Sequence, residues 1–260
     1  MNSIGWIGMG NMAGAMARGL IASGAADAEH LFACARDWEK LNRNAADIGF
    51  TPVHSAAELI DAVDIVIVAI KPYQIEDVLP PLAERLRNKV VLSVAAGWDF
   101  ERYESVLAPG THHLYVMPNT PVSVCQGVLM LEERHSLSEA EFAAVRALLG
   151  HLGTVEILPT HLMNAGMTIA GCGPAFVAMM IEALGDAGVK YGLQRRTAYQ
   201  LASQTLAGTG LMQLATGEHP GAMKDAVCSP GGTTIKGVTQ LEKSGFRAAV
   251  LDAVDAILQS

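Results

Sequence analysis

At 260 residues the chain has room for two domains or one large one. Half of it is apolar and 17% is charged, which excludes a disordered chain. A net charge of −8 argues against nucleic acid or an anionic membrane as partner, since both are met by a basic surface.

The opening stretch, MNSIGWIGMG, has no basic residues ahead of its apolar ones and reads as a strand and turn, not as a secretory signal. Ser3–Gly8 predicts a short strand and Asn11–Ser23 a helix with apolar residues on helical spacing. Between them lies GMGNMA, a G-x-G-x-x-A turn over Gly8–Ala13. Gly8 permits the tight bend, Gly10 lets a pyrophosphate approach the backbone, and Ala13 keeps the helix close to the strand. The first turn of that helix, with Asn11 and Met12, faces the phosphates of a bound dinucleotide.

A second strand, Leu31–Ala35, leads to a helix at Trp38–Ile48. The strand ends FACARD, with Arg36 before the first acid, Asp37. A free 2′-hydroxyl is met by an acid at this place and a 2′-phosphate by a cation, which can pair with it through two hydrogen bonds. NADPH is therefore expected over NADH, with NADH left open.

DIVIVAI (Asp64–Ile70) and KVVLSVA (Lys89–Ala95) are apolar runs of the kind buried on both faces of a parallel sheet. Short helical patterns fall between them. HHLYVM, GVLML and TVEIL predict later strands, with a helix at Ser138–Gly150 before the last. The alternation implies right-handed βαβ units in an α/β, doubly wound, mostly parallel sheet.

Past Leu158 the alternation stops. Thr160–Ala170, Gly173–Tyr191, Gln194–Gly217, Thr233–Ser244 and Phe246–Leu258 all predict helices, and Pro174 suits the first turn of its own. The chain thus divides into 1–158 and an all-α part, 159–260. Ala202, Ala207, Gly208 and Gly210 leave room for a neighbour to come close, and the helices are too apolar to stand bare. A second subunit is expected to cover them. Met167, Met179, Met180 and Met212 are expected as core or interface filler.

No apolar run reaches about 18 residues, so no membrane span is expected. Cys34, Cys125, Cys172 and Cys228 lie far apart without a C-x-x-C pair, the usage of a cytoplasmic protein with reduced thiols. The eight histidines include no H-E-x-x-H or His/Cys cluster, and no metal site is expected.

One stretch of the helical part asks for more than packing. Val227–Gly237 reads VCSPGGTTIKG. Gly231 and Gly232 free the chain to curl, so that the amides of Gly232, Thr233 and Thr234 point one way at a helix start. That is a seat for an anion, and one carboxylate fits it. Ser229 and Thr234 add hydroxyls. The alternative is an ordinary N-cap behind a turn.

The combination resembles the pyrroline-5-carboxylate reductase family. The matching segments run in order from residue 4 to residue 254: IGWIGMGNMAGAMARGL, VIVAIKPYQ, VVLSVAAG, VMPNTP, GPAFVAMMIEALGDAGVKYGL, LASQTLAGT, HPGAMKDAVCSPGGTTIKGV and LEKSGFRAAVLDAV. The resemblance implies a Rossmann domain for NAD(P)H and a helical domain that forms a homodimer, compatible with a larger ring of dimers. It implies that Ser229–Thr234 holds the carboxylate of pyrroline-5-carboxylate, with Thr234 and Ser229 as the catalytic candidates near the imine nitrogen. By the same resemblance Met117, Pro118, Asn119 and Thr120 line the nicotinamide end, and Ala69, Lys71 and Pro72 pass close to the dinucleotide. Two segments depart from the family: AGCGPAF (Ala170–Phe176) stands for a serine-rich SGSGPAY, and PTHLMNAG (Pro159–Gly166) for the acidic EEHLDAV.

The chemistry agrees with the residues. A protonated cyclic imine is already electrophilic, so hydride transfer needs positioning more than a strong base. A β-hydroxyacid dehydrogenase opens with a similar turn but is expected to carry a catalytic lysine just after its first domain, and Thr160–Ala170 has none. A non-catalytic NADPH-binding regulator is the remaining alternative, supported only by the replaced serines.

Overall fold

The computed structural model of the chain describes residues 3–259. They divide into two compact units, Met1–Gly171 and Cys172–Ser260.

The first unit is built on one eight-stranded sheet. Its strands are β1 (Ile4–Ile7), β2 (Leu31–Cys34), β3 (Thr51–Pro52), β4 (Ile65–Val68), β5 (Val90–Ser93), β6 (His112–Pro118), β7 (Gly127–Glu132) and β8 (Gly153–Leu158). Their order is β3-β2-β1-β4-β5-β6-β7-β8. All neighbours pair in parallel except β6 and β7, which are antiparallel. The first six strands are the order 3-2-1-4-5-6 of a doubly wound sheet, whose ligands lie outside the carboxyl ends of the strands where the order reverses. Here that point lies beside β1.

The helices of this unit are α1 (Asn11–Ala22), α2 (Trp38–Ile48), α3 (Ala56–Ala62), α4 (Ile75–Val78), α5 (Ala83–Leu86), α6 (Phe100–Glu104), α7 (Glu139–Gly150) and α8 (Met163–Gly166). Their starts follow from short polar side chains: Asp37, Ser55, Asp99 and Ser138 each accept the N–H three residues on. At α7 the acceptance is reciprocal, with Glu141 reaching back to Ser138.

The central strands of the sheet are buried on both faces, as their unbroken apolar runs require. Trp6, Leu20, Leu31, Leu92, Leu131 and Leu149 belong to the core on one side, and Leu59, Ile60, Val66, Leu86, Val91 and Tyr103 to that on the other. Strand β1 needs a glycine within it because α3 presses there: a Cβ on Gly5 would lie 2.6 Å from Leu59 Cδ2.

After Leu158 the chain becomes helical but stays with the first unit for another turn or two. Met163 is buried with Tyr115, Met117 and Met130. Gly166 makes this approach possible, since a Cβ there would lie 2.7 Å from both Leu158 Cδ1 and Met130 Sδ. The predicted helix Thr160–Ala170 is in fact a 3₁₀ turn (Thr160–Leu162), then α8, then a π-turn at Met167–Cys172.

The second unit holds α9 (Gly173–Lys190), α10 (Arg195–Thr216), α11 (Pro220–Ala226), α12 (Thr233–Lys243) and α13 (Phe246–Leu258). The close approach of α9 and α10 is not at Gly208 and Gly210, where no other group lies nearer than 4.0 Å to an added Cβ. It is at Gly185 and Gly188 of α9, whose Cβ positions fall 2.4 Å from the Tyr199 ring and 2.9 Å from Ala198 Cβ. Helical spacing alone could not say which small residues were used.

The unit has little core of its own: only Gly185, Ala198, Ala202 and Met223 of its described helices are buried. Met179 (69% exposed), Leu214 (68%) and Leu251 (65%) lie open. A count of consecutive apolar residues passes over one long helical run. The helical run Thr160–Lys190, 31 residues, is long and apolar enough to cross a membrane by length and composition. Single polar letters such as Asn164, Thr168 and Glu182 hide it from a count of consecutive apolar residues.

One close contact gives a direct test of the first unit. A Cβ on Gly19 of α1 would sit 2.1 Å from the carbonyl oxygen of Val122, a backbone atom that cannot step aside. Gly19→Ala should therefore lower stability by about 2–3 kcal/mol despite alanine's better helix propensity. Chemical denaturation should show a lower midpoint at unchanged slope.

Candidate active site

The turn after β1 is shaped by backbone. Gly8 is in the left-handed region (φ 96°), and a Cβ there would lie 2.7 Å from the carbonyl oxygen of Ala69. Its N–H donates to the Cys34 carbonyl at 2.8 Å, and Ala69 donates to Ile7 at 2.9 Å, so the ends of β1, β2 and β4 are tied together. Gly10, the N-cap of α1, has open space where a Cβ would stand. No side chain caps this helix and no acid stands in its first turn. The N–H groups at Asn11 and Met12 belong to the donors that any helix leaves open at its start. Ala13 is buried, as close packing of helix on strand requires. The open space at Gly10 and the free donors at the helix start fit a diphosphate, and so a dinucleotide.

Two details here were not legible in the sequence. Asn44 of α2 donates to the Met9 carbonyl at 3.3 Å, holding the middle of the turn. Cys34 is buried at the end of β2, and burial pushes its thiol up to about 11. It stays protonated and is no nucleophile at neutral pH.

Beyond β2 the roles of Arg36 and Asp37 separate. Asp37 caps α2, accepting the Lys40 N–H at 2.9 Å. Arg36 is exposed and takes part in no ion pair among the described residues. The acid is thus engaged in its own helix and the cation is available. Lys71 is exposed at the end of β4, ahead of the 3₁₀ turn Pro72–Gln74, and its N–H donates to Gln74 Oε1. Among the described residues, Asp27, Glu29 and His30 also bring potential metal ligands within 4.8 Å. The two acids are exposed, and no spacing in the sequence marks this group.

At the end of β6, Met117 turns its side chain into the cluster with Tyr115, Met130 and Met163, so it can offer a ligand only main chain. Pro118 is buried, and Thr120 is exposed at the start of a 3₁₀ turn, Thr120–Val124. Asn119 is 6% exposed. Its Oδ1 accepts the Val128 N–H at 2.8 Å and its Nδ2 donates to the Ala170 carbonyl at 2.9 Å. The next turn ends at Cys125, held at φ 58° with its thiol donating to the Gly19 carbonyl at 3.5 Å.

In the second unit, the loop before α12 curls as its glycines permit. Gly231 has φ 71° and Gly232 is the N-cap, without a side chain to fill the helix start. The Gly232 N–H donates to the Ser229 carbonyl at 3.0 Å. It therefore closes the turn and is not free for a ligand, which corrects the expectation of three open amides. Thr233 and Thr234 are exposed and carry the open N–H groups. A Cβ on Gly232 would lie 2.4 Å from Ser229 Oγ, so glycine is what lets that hydroxyl stand beside the helix start. Thr205, Thr209, Thr216 and Thr239 spend their hydroxyls on the carbonyl four residues back. Neither Thr233 nor Thr234 does so among the described residues.

Comparison with known proteins matches a separate family profile to each half of the chain. A family profile described as pyrroline-5-carboxylate reductase dimerisation matches residues 160–260. One described as NADP oxidoreductase, coenzyme F420-dependent, matches residues 3–97. The chain is 42% identical to the pyrroline-5-carboxylate reductase of Treponema pallidum, covering 99% of each. It is 36% identical to that of Escherichia coli, covering 98% of this chain and 96% of the other. A crystal structure of Plasmodium falciparum pyrroline carboxylate reductase with NADP bound superposes with a TM-score of 0.89 at 29% identity, covering 99% of this chain and 96% of that one.

The free guanidinium after β2 is testable by binding alone. Arg36→Ala is expected to weaken NADPH about tenfold or more while shifting NADH less than about twofold. Fluorescence titration of the protein with each dinucleotide measures both.

Proposed function

The chain belongs to the pyrroline-5-carboxylate reductase family, and from that premise we propose how its own residues carry the NAD(P)H-dependent reduction of 1-pyrroline-5-carboxylate to L-proline. The observation that carries the reading is the loop Ser229–Thr234. It offers main-chain donors and hydroxyls at a helix start and no charged side chain.

The turn Gly8–Ala13 holds the diphosphate, with Asn11 and Met12 at the helix start, and Arg36 pairs with a 2′-phosphate, which makes NADPH the preferred cofactor. Ala69, Lys71 and Pro72 flank the dinucleotide, and Met117, Pro118 and Asn119 present main chain at its nicotinamide end. The bound cofactor supplies the hydride. Gly231 and Gly232 shape the loop, the amides of Thr233 and Thr234 with the Ser229 hydroxyl hold the substrate carboxylate, and the Thr234 hydroxyl accepts from the protonated imine nitrogen. The hydride goes to the imine carbon, the C=N electron pair becomes the nitrogen lone pair, and the ring leaves as the secondary amine. Since the substrate arrives protonated, no residue has to act as a strong acid.

The second domain, taken from residue 159, forms a homodimer in the cytoplasm, and rings of dimers are compatible with it. The bare apolar helices support this: a second copy would cover Met179, Leu214 and Leu251 and the run Thr160–Lys190. Sedimentation at low micromolar concentration is expected to show dimers or larger, and a stable, active monomer would contradict it.

The two roles given to the loop separate kinetically. Ser229→Ala removes a contact made before and during the reaction, so it should raise KM for the imine more than it lowers kcat. Thr234→Ala should lower kcat by about 10- to 100-fold, because hydrogen bonding at nitrogen changes as hydride arrives. Steady-state kinetics at saturating NADPH measures both. Wild-type behaviour of both variants would reduce the loop to a turn and a cap.

A further inference from the structure

An α-helix asks each carbonyl to accept the N–H four residues on. For Ala170 that residue is Pro174, which has none. The α-helical donor is therefore absent for this carbonyl. Around it the helical run changes to a π-turn, Met167–Cys172, and the oxygen accepts from Asn119 Nδ2 at 2.9 Å.

Asn119 forgoes an easier bond to make this one. It is the N-cap of the turn Thr120–Val124, where an asparagine ordinarily accepts from its own helix, yet its side chain makes no cap. Its Oδ1 instead accepts from the Val128 N–H. One partner is an N–H and the other a C=O, so only one orientation of the carboxamide satisfies both. The side chain is almost wholly buried, and leaving either partner unpaired there is costly.

The π-turn is also held from below. Met167 and Ala170 pack on Tyr115, Met117, Met130 and Met163, and Thr168, fully buried, donates its hydroxyl to the Asn164 carbonyl at 2.9 Å. To that packing the amide of Asn119 adds a direct hold on the Ala170 carbonyl. This happens at the carboxyl end of β6, the edge of the sheet where a dinucleotide binds.

We propose that Asn119 is a positioning residue for the reaction: it donates to the carbonyl to which Pro174 cannot and so sets the main chain at Ala170–Gly171. The inference rests on the reductase reading for its activity readout, but its core is a coupling between Asn119 and Pro174 that can be measured without activity.

The test is a cycle of Asn119→Ala, Pro174→Ala and the double variant. Pro174→Ala restores an N–H at 174, giving the Ala170 carbonyl its helical donor back. Asn119→Ala alone should lower kcat with the imine about tenfold while leaving the Kd of NADPH within about twofold. In the Pro174→Ala background the same substitution should cost less than about twofold. Its lowering of the unfolding temperature should shrink in the same way. Equal losses in both backgrounds would overturn the proposal, and so would a fall in NADPH affinity as large as the fall in turnover, which marks a direct cofactor contact. Should Asn119→Ala fail to fold in both backgrounds, Asn119→Asp, which keeps an acceptor for the Val128 N–H and loses the donor to Ala170, takes its place in the cycle with the same two outcomes. A wild type that does not reduce the imine would reject the reductase reading, and the thermal cycle would still decide the coupling.

Discussion

The first unit depends on how closely one helix can lie. The start of α1 is set by Gly8, whose missing Cβ lets the turn touch the Ala69 carbonyl, and its flank by the buried Ala13. Its far end is set by Gly19, which leaves room only for the Val122 carbonyl and is tied to Cys125 through a thiol bond. Twelve residues span about 18 Å. Over that length a single helix joins the turn at Gly8–Ala13 to the turn that follows Asn119. In the proposed site both ends of the dinucleotide are thereby referred to one element. A glycine in the turn before α1 and two small residues along it are the physical condition for that arrangement.

The second unit obeys a different constraint. Its helices meet through Gly185 and Gly188, and that contact leaves the rest of their apolar surface open. A unit with so few buried side chains falls short of the apolar burial that offsets chain entropy. Covering the exposed faces with a second copy would supply what the unit lacks by itself. The same composition gives a membrane-length run at Thr160–Lys190, because bilayer and protein interface both select apolar helices. Pro174 inside the run and Glu182 and Asp186 on α9 suit an interface between proteins better.

Much of this was legible in the sequence, for identifiable reasons. The strands buried on both faces appear as unbroken apolar runs, so β4 and β5 were found within a residue or two of Ile65–Val68 and Val90–Ser93. The turn at Gly8–Ala13 and the loop at Ser229–Thr234 were legible because each needs glycine at a fixed place. Their details were not. Nothing in the letters says that the Gly232 amide is consumed by the Ser229 carbonyl, or that Met117 faces inward. Asn44 on Met9 and Cys125 on Gly19 are contacts between distant segments, which local pattern cannot report. The π-turn is intermediate: a proline four residues after Ala170 announces an unpaired carbonyl, but not the side chain that answers it.

The choice of main chain over charged side chains in the loop proposed for the substrate has its own logic. The substrate carries a carboxylate and, when reactive, a protonated imine a bond or two away. A lysine or arginine holding the carboxylate would stand within a few ångströms of that second, positive group. Two like charges about 4 Å apart repel by about 4 kcal/mol at an effective dielectric constant of about 20. That would push the imine toward its neutral, unreactive form. Partial charges on helix amides hold an anion with about half a unit of positive charge, spread over several donors. The loop SPGGTT contains only such donors and hydroxyls. It can bind the carboxylate tightly while leaving the imine protonated, which hydride transfer requires. A cation introduced at Thr233 or Thr234 would strengthen the grip on the carboxylate and weaken the electrophile in the same step.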